Sequence, residues 1–205
     1  MGKIYFSVDV EASGRSPGKY SMLSFGACVV GDISKTFYKE LKPISNNFIT
    51  EAMKIGCLGL KGLEMYQNDI KSYLAVYNPK SEKFRPGMVL QKLREIGEEP
   101  RTVMKDFAGW ILENSKGYKP VICAAPIIFD GGFITYYFDN FYEGENPFEH
   151  SGEDINSMYR GYKKDVNASI KDLNLRNVNG LSHNALEDAI QQAKEFERVL
   201  ELMKS

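Results

Sequence analysis

Residues 3–12 alternate without a break: Ile4, Phe6, Val8 and Val10 fall on one side of an extended chain, and Tyr5, Ser7, Asp9 and Glu11 on the other. A period of two is what a β-strand requires, so the segment from Lys3 to Ala12 reads as the first strand. It ends with two carboxylates on a common face, about 6 to 7 Å apart at Cα. Such neighbours repel. Either water solvates them on an open face or a cation offsets their charge, and hard oxygen ligands with no cysteine nearby favour Mg²⁺ or Mn²⁺ over Zn²⁺.

The pattern downstream builds a sheet around that strand. Met22–Val30 and Lys35–Leu41 read as two further strands divided by the Gly31-Asp32 turn, a hairpin or meander at the sheet's edge. Thr50–Leu60 reads as a helix whose last turns are weakened by Gly56 and Gly59. From Leu60 to Pro100 the pattern is ambiguous, because Asn78-Pro79 and Arg85-Pro86-Gly87 break it into loops and short helices. An insertion at about 61–99 is therefore expected. Val103, Met104, Phe107, Trp110 and Ile111 then fall at helical spacing in Pro100–Asn114. Val121–Ala125 is a continuously apolar run suited to a strand covered on both faces, and Phe129–Phe141 can form the helix that follows. The last helix carries an apolar stripe of Leu186, Ala189, Ile190, Ala193, Phe196, Val199, Leu200 and Met203, with Asn184 and Glu187 placed as a capping box. One α/β domain spanning 1–205, with a mixed central sheet flanked by helices, is the expected architecture.

Composition excludes some classes. The hydrophobic share of 43% and charged share of 26% belong to a globular chain rather than a disordered or membrane-embedded one. A net charge of -1 does not suit a protein that coats nucleic acid by bulk positive charge. Basic residues do interleave with aromatics in two places: Lys80, Lys83, Arg85, Lys92 and Arg94 among Tyr73, Tyr77 and Phe84, and Lys163, Lys164 and Lys171 between Arg160 and Arg176. They would suit a single strand, or simply a solvated surface with core aromatics. Residues 1–11 lack the pattern of a signal peptide, and Cys28, Cys57 and Cys123 are odd in number and without metal-ligand spacing. Reduced buried thiols and a cytoplasmic address are expected, with no membrane partner. The Asn167-Ala168-Ser169 acceptor then has no consequence.

Two further places carry chemistry. Asp130 follows a buried-strand signal and opens a helix, at the carboxyl end of the sheet where open α/β proteins form ligand sites; it would equally serve as a helix N-cap. His183 and Asp188 project from the same helix end. A histidine's ordinary pKa of about 6.5 suits a general base near neutrality, and clustered carboxylates suit a two-metal site that clamps attacking and leaving oxygens. His150 lacks such a setting and reads as structural.

Taken in order, Asp9-Val10-Glu11-Ala12-Ser13-Gly14, Phe129-Asp130-Gly131-Gly132-Phe133 and His183 through Asp188 resemble the three motifs of the DEDDh 3′-to-5′ exonucleases, which have an RNase H-like fold. The resemblance implies that Asp9, Glu11, Asp130 and Asp188 bind two divalent cations, Mg²⁺ or Mn²⁺, that His183 deprotonates the attacking water, and that nucleoside 5′-monophosphates leave from the 3′ end of single-stranded RNA or DNA. Ala12 and Ser13 would neighbour the terminal sugar, Ser13 either donating a hydrogen bond or closing a turn; Phe129 and Phe133 would stack on a base or fill the core. Where many members have His-Asn before the middle aspartate, this chain reads Ala125-Pro126-Ile127-Ile128-Phe129. Some relatives complete their site across a dimer, so a homodimer is compatible with the sequence. Two other functions stay open: hydrolysis of a small nucleotide or dinucleotide on the same scaffold, and a nucleic-acid-binding scaffold that has lost turnover.

Overall fold

The alternating segment forms β1 (Lys3–Ala12), the middle strand of a five-stranded mixed sheet. The computed structural model describes residues 2–66, 68–175 and 182–204. β2 (Met22–Val29) and β3 (Asp32–Glu40) run antiparallel on one side of β1, and β4 (Lys119–Ala124) and β5 (Gly152–Asp154) run parallel on the other, in the order β3-β2-β1-β4-β5. The hairpin is at the edge, as its turn signal implied, and Gly31 takes the positive φ of 86° that a tight turn demands there.

Among the described residues the α-helices are α1 (Thr50–Gly56), α2 (Pro86–Ile96), α3 (Pro100–Ser115), α4 (Ile127–Phe141), α5 (Ile155–Lys163) and α6 (Ala185–Lys204). Phe6, Val8 and Val10 of β1 pack with Val103, Phe107 and Ile111 of α3 and with Phe133, Tyr137 and Phe138 of α4. Each large side chain buried in this way contributes about 1.5–3 kcal/mol relative to exposure. The other side of β1 is covered as well. Tyr5 meets Phe196 of α6 edge-on at 4.9 Å between centroids, and Ser7 is fully buried. Asp9 and Glu11 therefore end a covered face, and an open, water-solvated strand surface does not account for them.

The start of α6 lies directly on β2. A Cβ at Gly26 would overlap the backbone of Leu186, so only glycine lets the helix approach this closely. A smaller core under the 3₁₀ turns Lys61–Tyr66 and Tyr73–Tyr77 joins Leu23, Met53, Leu60, Leu63, Phe84, Val89, Leu90 and Leu93. In the 61–99 segment, Leu63, Phe84, Val89, Leu90 and Leu93 thus pack onto Leu23, Met53 and Leu60 of the rest of the chain. Pro86, which read as a breaker, occupies the first turn of α2, where its fixed φ fits and its missing N–H costs nothing. β5 is too short, at three residues, to show a period, and α5 was not read although Asp154 caps it by accepting the Ser157 N–H at 2.7 Å.

Among the described residues no helix is long and apolar enough to cross a membrane. All three cysteines are buried and free.

Candidate active site

β1 and β4 run parallel, so their carboxyl ends lie on the same side of the sheet, and the site residues converge there. β1 delivers Asp9 and Glu11, the latter only 9% exposed. The chain leaving β4 enters α4, whose first turn carries Asp130, 3% exposed. Asp130 is not the N-cap: the cap position is Pro126, and the Asp130 carboxylate instead turns to β1, where its Oδ1 accepts the Val10 N–H at 2.9 Å. That bond seats Asp130 between the backbone positions of the two strand carboxylates.

Asp188, 3% exposed on the first turns of α6, holds the loop that precedes it. Its Oδ1 accepts the Ser182 N–H at 2.9 Å and the Ser182 Oγ–H at 3.0 Å, and its Oδ2 accepts the His183 N–H at 2.9 Å. His183 sits at φ 56°, a left-handed conformation costing roughly 1–2 kcal/mol for a side chain of this kind. The Asp188 bond and the packing behind the loop sustain it. Asn184 caps α6 through Oδ1 with the N–H groups of Leu186 and Glu187, both at 3.2 Å. The reciprocal half of the expected capping box is made differently: Asn184 N–H donates to Ser182 Oγ at 3.2 Å rather than to Glu187. Asn184 Nδ2 donates to Gly59 O at 2.9 Å, and a Cβ at Gly59 would collide with His183 O and stand 2.5 Å from Asn184 Cα. Gly56 similarly leaves room beside Glu11, whose Oε2 would lie 3.1 Å from an added Cβ. Both glycines, read from sequence as weak helix turns, are close-approach positions. Gly59→Ala is accordingly expected to push the His183 loop away and lower kcat at least tenfold with the protein still folded, measured by steady-state kinetics beside thermal unfolding.

One ligand atom each from Glu11, His183 and Asp188 lies within 4.8 Å of the others, a spacing that can hold a metal ion. No Lys or Arg among the described residues forms an ion pair with Asp9, Glu11, Asp130 or Asp188. With no cation to offset them, neighbouring carboxylates add to the effect of burial on Asp9 and Glu11. Burial, then Asp130, Glu11 and Asp188, push Asp9 well above the ordinary carboxylate range. Burial, then Asp188 and Asp130, push Glu11 up to about 8. Burial raises Asp130 too, partly opposed by the Val10 N–H. A carboxylate-rich set with excess negative charge and no ion-paired Lys or Arg among the described residues fits a hard divalent ion. Without that ion the folded protein holds these protons more tightly than the unfolded chain. The stability so contributed is complete below about pH 4.5, Glu11's ordinary value, and is lost as pH rises to about 8. Thermal unfolding in a chelator should show Tm falling across that window, and Mn²⁺ should restore more at pH 8 than at pH 5. Identical pH profiles with and without metal would contradict the assignment.

The remaining sequence candidates separate. Ser13 is fully buried; its Oγ donates to Asn47 O at 2.9 Å and accepts the Ser21 N–H at 2.9 Å. It closes a turn, and its hydroxyl proton is not available to a sugar. Ala12, 5% exposed, packs in the main core. Of the two readings of Phe133, base stacking or core filling, its full burial matches the second, whereas Phe129 is half-buried against it at 5.1 Å between centroids. In the first basic stretch Phe84 is buried and Tyr77 pairs with Tyr66 at 4.8 Å, leaving Tyr73 exposed. Arg176 lies outside the described residues. His150 lines a separate cavity of about 700 Å³ between α4 and residues 148–152, whose wall contains none of the four carboxylates.

One polar residue escaped the sequence reading. Gln192, 3% exposed, donates from Nε2 to Asp9 Oδ1 at 2.8 Å and accepts the Ala125 N–H at 2.8 Å. Its signal was a polar side chain one helical turn beyond Asp188, on the face that α6 buries.

Comparison with known proteins agrees with this geometry. The family model described as the 3′-5′ exoribonuclease Rv2179c-like domain matches residues 5–200. The Escherichia coli protein described as 3′-5′ DNA exonuclease Cap18 is 36% identical over 200 residues, covering 95% of this chain and 90% of that one. Among solved structures, the nuclease domain of 3′hExo, a DEDDh family member bound to rAMP, shares the fold with a TM-score of 0.62 at 12% identity, over 97% of this chain and 92% of that one. E. coli exonuclease I in complex with a dA13 oligonucleotide shares it with a TM-score of 0.55 at 15% identity, over 98% of this chain but 40% of the larger one. With the match running from β1 almost to the end of α6, the chain belongs to the Rv2179c-like 3′-5′ exoribonuclease domain family and is a 3′-5′ exonuclease.

Proposed function

We propose that this protein removes nucleoside 5′-monophosphates from the 3′ end of a single strand by hydrolysis that depends on two divalent cations, Mg²⁺ or Mn²⁺, held by Asp9, Glu11, Asp130 and Asp188. The observation that carries the reading is that Glu11, His183 and Asp188 bring ligand atoms within 4.8 Å of one another at the carboxyl end of β1, beside Asp9 and Asp130, without an ion-paired Lys or Arg among the described residues. When bound, the cations would supply charge stabilisation to the attacking and leaving oxygens. His183 takes the proton of the attacking water, its loop fixed by Asp188. Asp130 stays in register with β1 through Val10. One copy carries all five groups, so the reading needs no second chain. With the five residues intact, turnover is favoured over a scaffold role.

An unpaired end is favoured because a terminal phosphate has to reach recessed carboxylates, and exonuclease I is described in complex with single-stranded oligonucleotides. On the sugar, the family description names an exoribonuclease and the E. coli relative a DNA exonuclease. Ser13 is fully buried with its hydroxyl donated to Asn47 O and so offers a 2′-OH no contact, and we favour DNA cleaved at least as fast as RNA. The test is a time course on matched 3′-labelled and 5′-labelled DNA and RNA strands with Mg²⁺. A 3′ label released at once as mononucleotide, with the 5′-labelled strand shortening stepwise, is expected. Release from the 5′ end, or cleavage of dinucleotides alone, would sink the reading.

A further inference from the structure

We infer that Gln192 is a positioning residue for Asp9, holding that carboxylate in the orientation a divalent cation requires. The inference rests on the reading of Asp9 as a cation ligand. Gln192 stands four residues after Asp188 on α6, so one buried helix face presents both groups to the end of the sheet. Its amide has a single workable orientation. The Ala125 N–H can only donate, so Oε1 faces Ala125 at 2.8 Å and the Nε2 donor is left facing Asp9 Oδ1 at 2.8 Å.

The chemistry of the donor matters as much as its place. A lysine or arginine at this point would pair with Asp9 and compete with a cation for its charge. A neutral amide fixes one oxygen and leaves both the negative charge and the other oxygen free. Among the described residues Gln192 makes the one side-chain hydrogen bond to the Asp9 carboxylate. Its second bond reaches the chain between β4 and α4, five residues before Asp130. Gln192 thus links the elements that carry Asp9, Asp130 and Asp188. Groups that orient metal ligands in this way typically contribute 10- to 100-fold to affinity or activity.

The test is a double-mutant cycle read by calorimetric titration of the substrate-free protein with Mn²⁺, using wild type, Gln192→Met, Asp9→Asn and the double variant. Gln192→Met should weaken Mn²⁺ binding by roughly 10- to 100-fold and less than about threefold when Asp9 is already asparagine, because the two act as a unit. Its kcat should fall with the strand's KM held within about twofold. Equal weakening in both backgrounds, or none in either, overturns the inference. If Asp9→Asn alone leaves Mn²⁺ binding unchanged, the ligand reading of Asp9 fails first; if Asp9→Asn weakens it and Gln192→Met does not, only the positioning role fails. Should Gln192→Met not fold, Gln192→Glu keeps an acceptor for Ala125 and removes the donor to Asp9. Lowered kcat is then expected, and full kcat refutes.

Discussion

Replacing Asp188 by alanine is expected to lower kcat by at least about 10³-fold while strand binding weakens far less. Cations at such a site supply several kcal/mol of charge stabilisation in the transition state, at 1.36 kcal/mol per tenfold in rate. Asp188 also has a second duty, because it accepts three hydrogen bonds from Ser182 and His183 and so holds His183 in its left-handed conformation. On the proposed reading, its loss would remove a ligand and free the base together. The double variant Asp188→Ala/His183→Ala should therefore be little slower than Asp188→Ala alone, since residues acting as a unit do not add. Single-turnover rates and strand binding by anisotropy check this, with circular dichroism showing the variant folded. Two full, additive losses would mean that Asp188 and His183 work independently.

His183→Ala should slow turnover roughly 10²- to 10⁴-fold, the usual contribution of a general base. Its effect on cation binding is the more telling measurement. The imidazole lies within 4.8 Å of the Glu11 and Asp188 ligand atoms, a position that serves a base and a ligand equally well. A base removed leaves Mn²⁺ affinity within about threefold of wild type, whereas a ligand removed costs affinity along with rate. Near-normal turnover by His183→Ala would dismiss both roles.

The central strand and the last helix were legible because each carries a long, unambiguous period: two over residues 3–12, and the apolar stripe of residues 185–204. The three acidic motifs stood out through their order and their resemblance to a known family; singly they were ambiguous, Asp130 reading equally well as a helix N-cap. What sequence did not reveal depends on chain segments far apart in number. Ser13 looked available until Asn47 and Ser21 took its hydroxyl. Gly59 looked like a helix breaker, yet its role is to admit the backbone of His183 and Asn184 more than 120 positions away. Gln192 blended into a polar run, Gln191-Gln192, and only its contact with Asp9, 183 residues distant, distinguishes it. Pro86 was a local signal with two meanings, breaker or first-turn residue, and tertiary packing of Val89, Leu90 and Leu93 selected the second.

The most direct examination of the site is anomalous diffraction from crystals grown with Mn²⁺ and a short single strand whose terminal linkage resists cleavage. The account predicts anomalous peaks in the space bounded by the carboxylates of Asp9, Glu11, Asp130 and Asp188, with the 3′-terminal phosphate beside them and His183 facing it. Manganese bound elsewhere, or a strand seated away from these carboxylates, would contradict it.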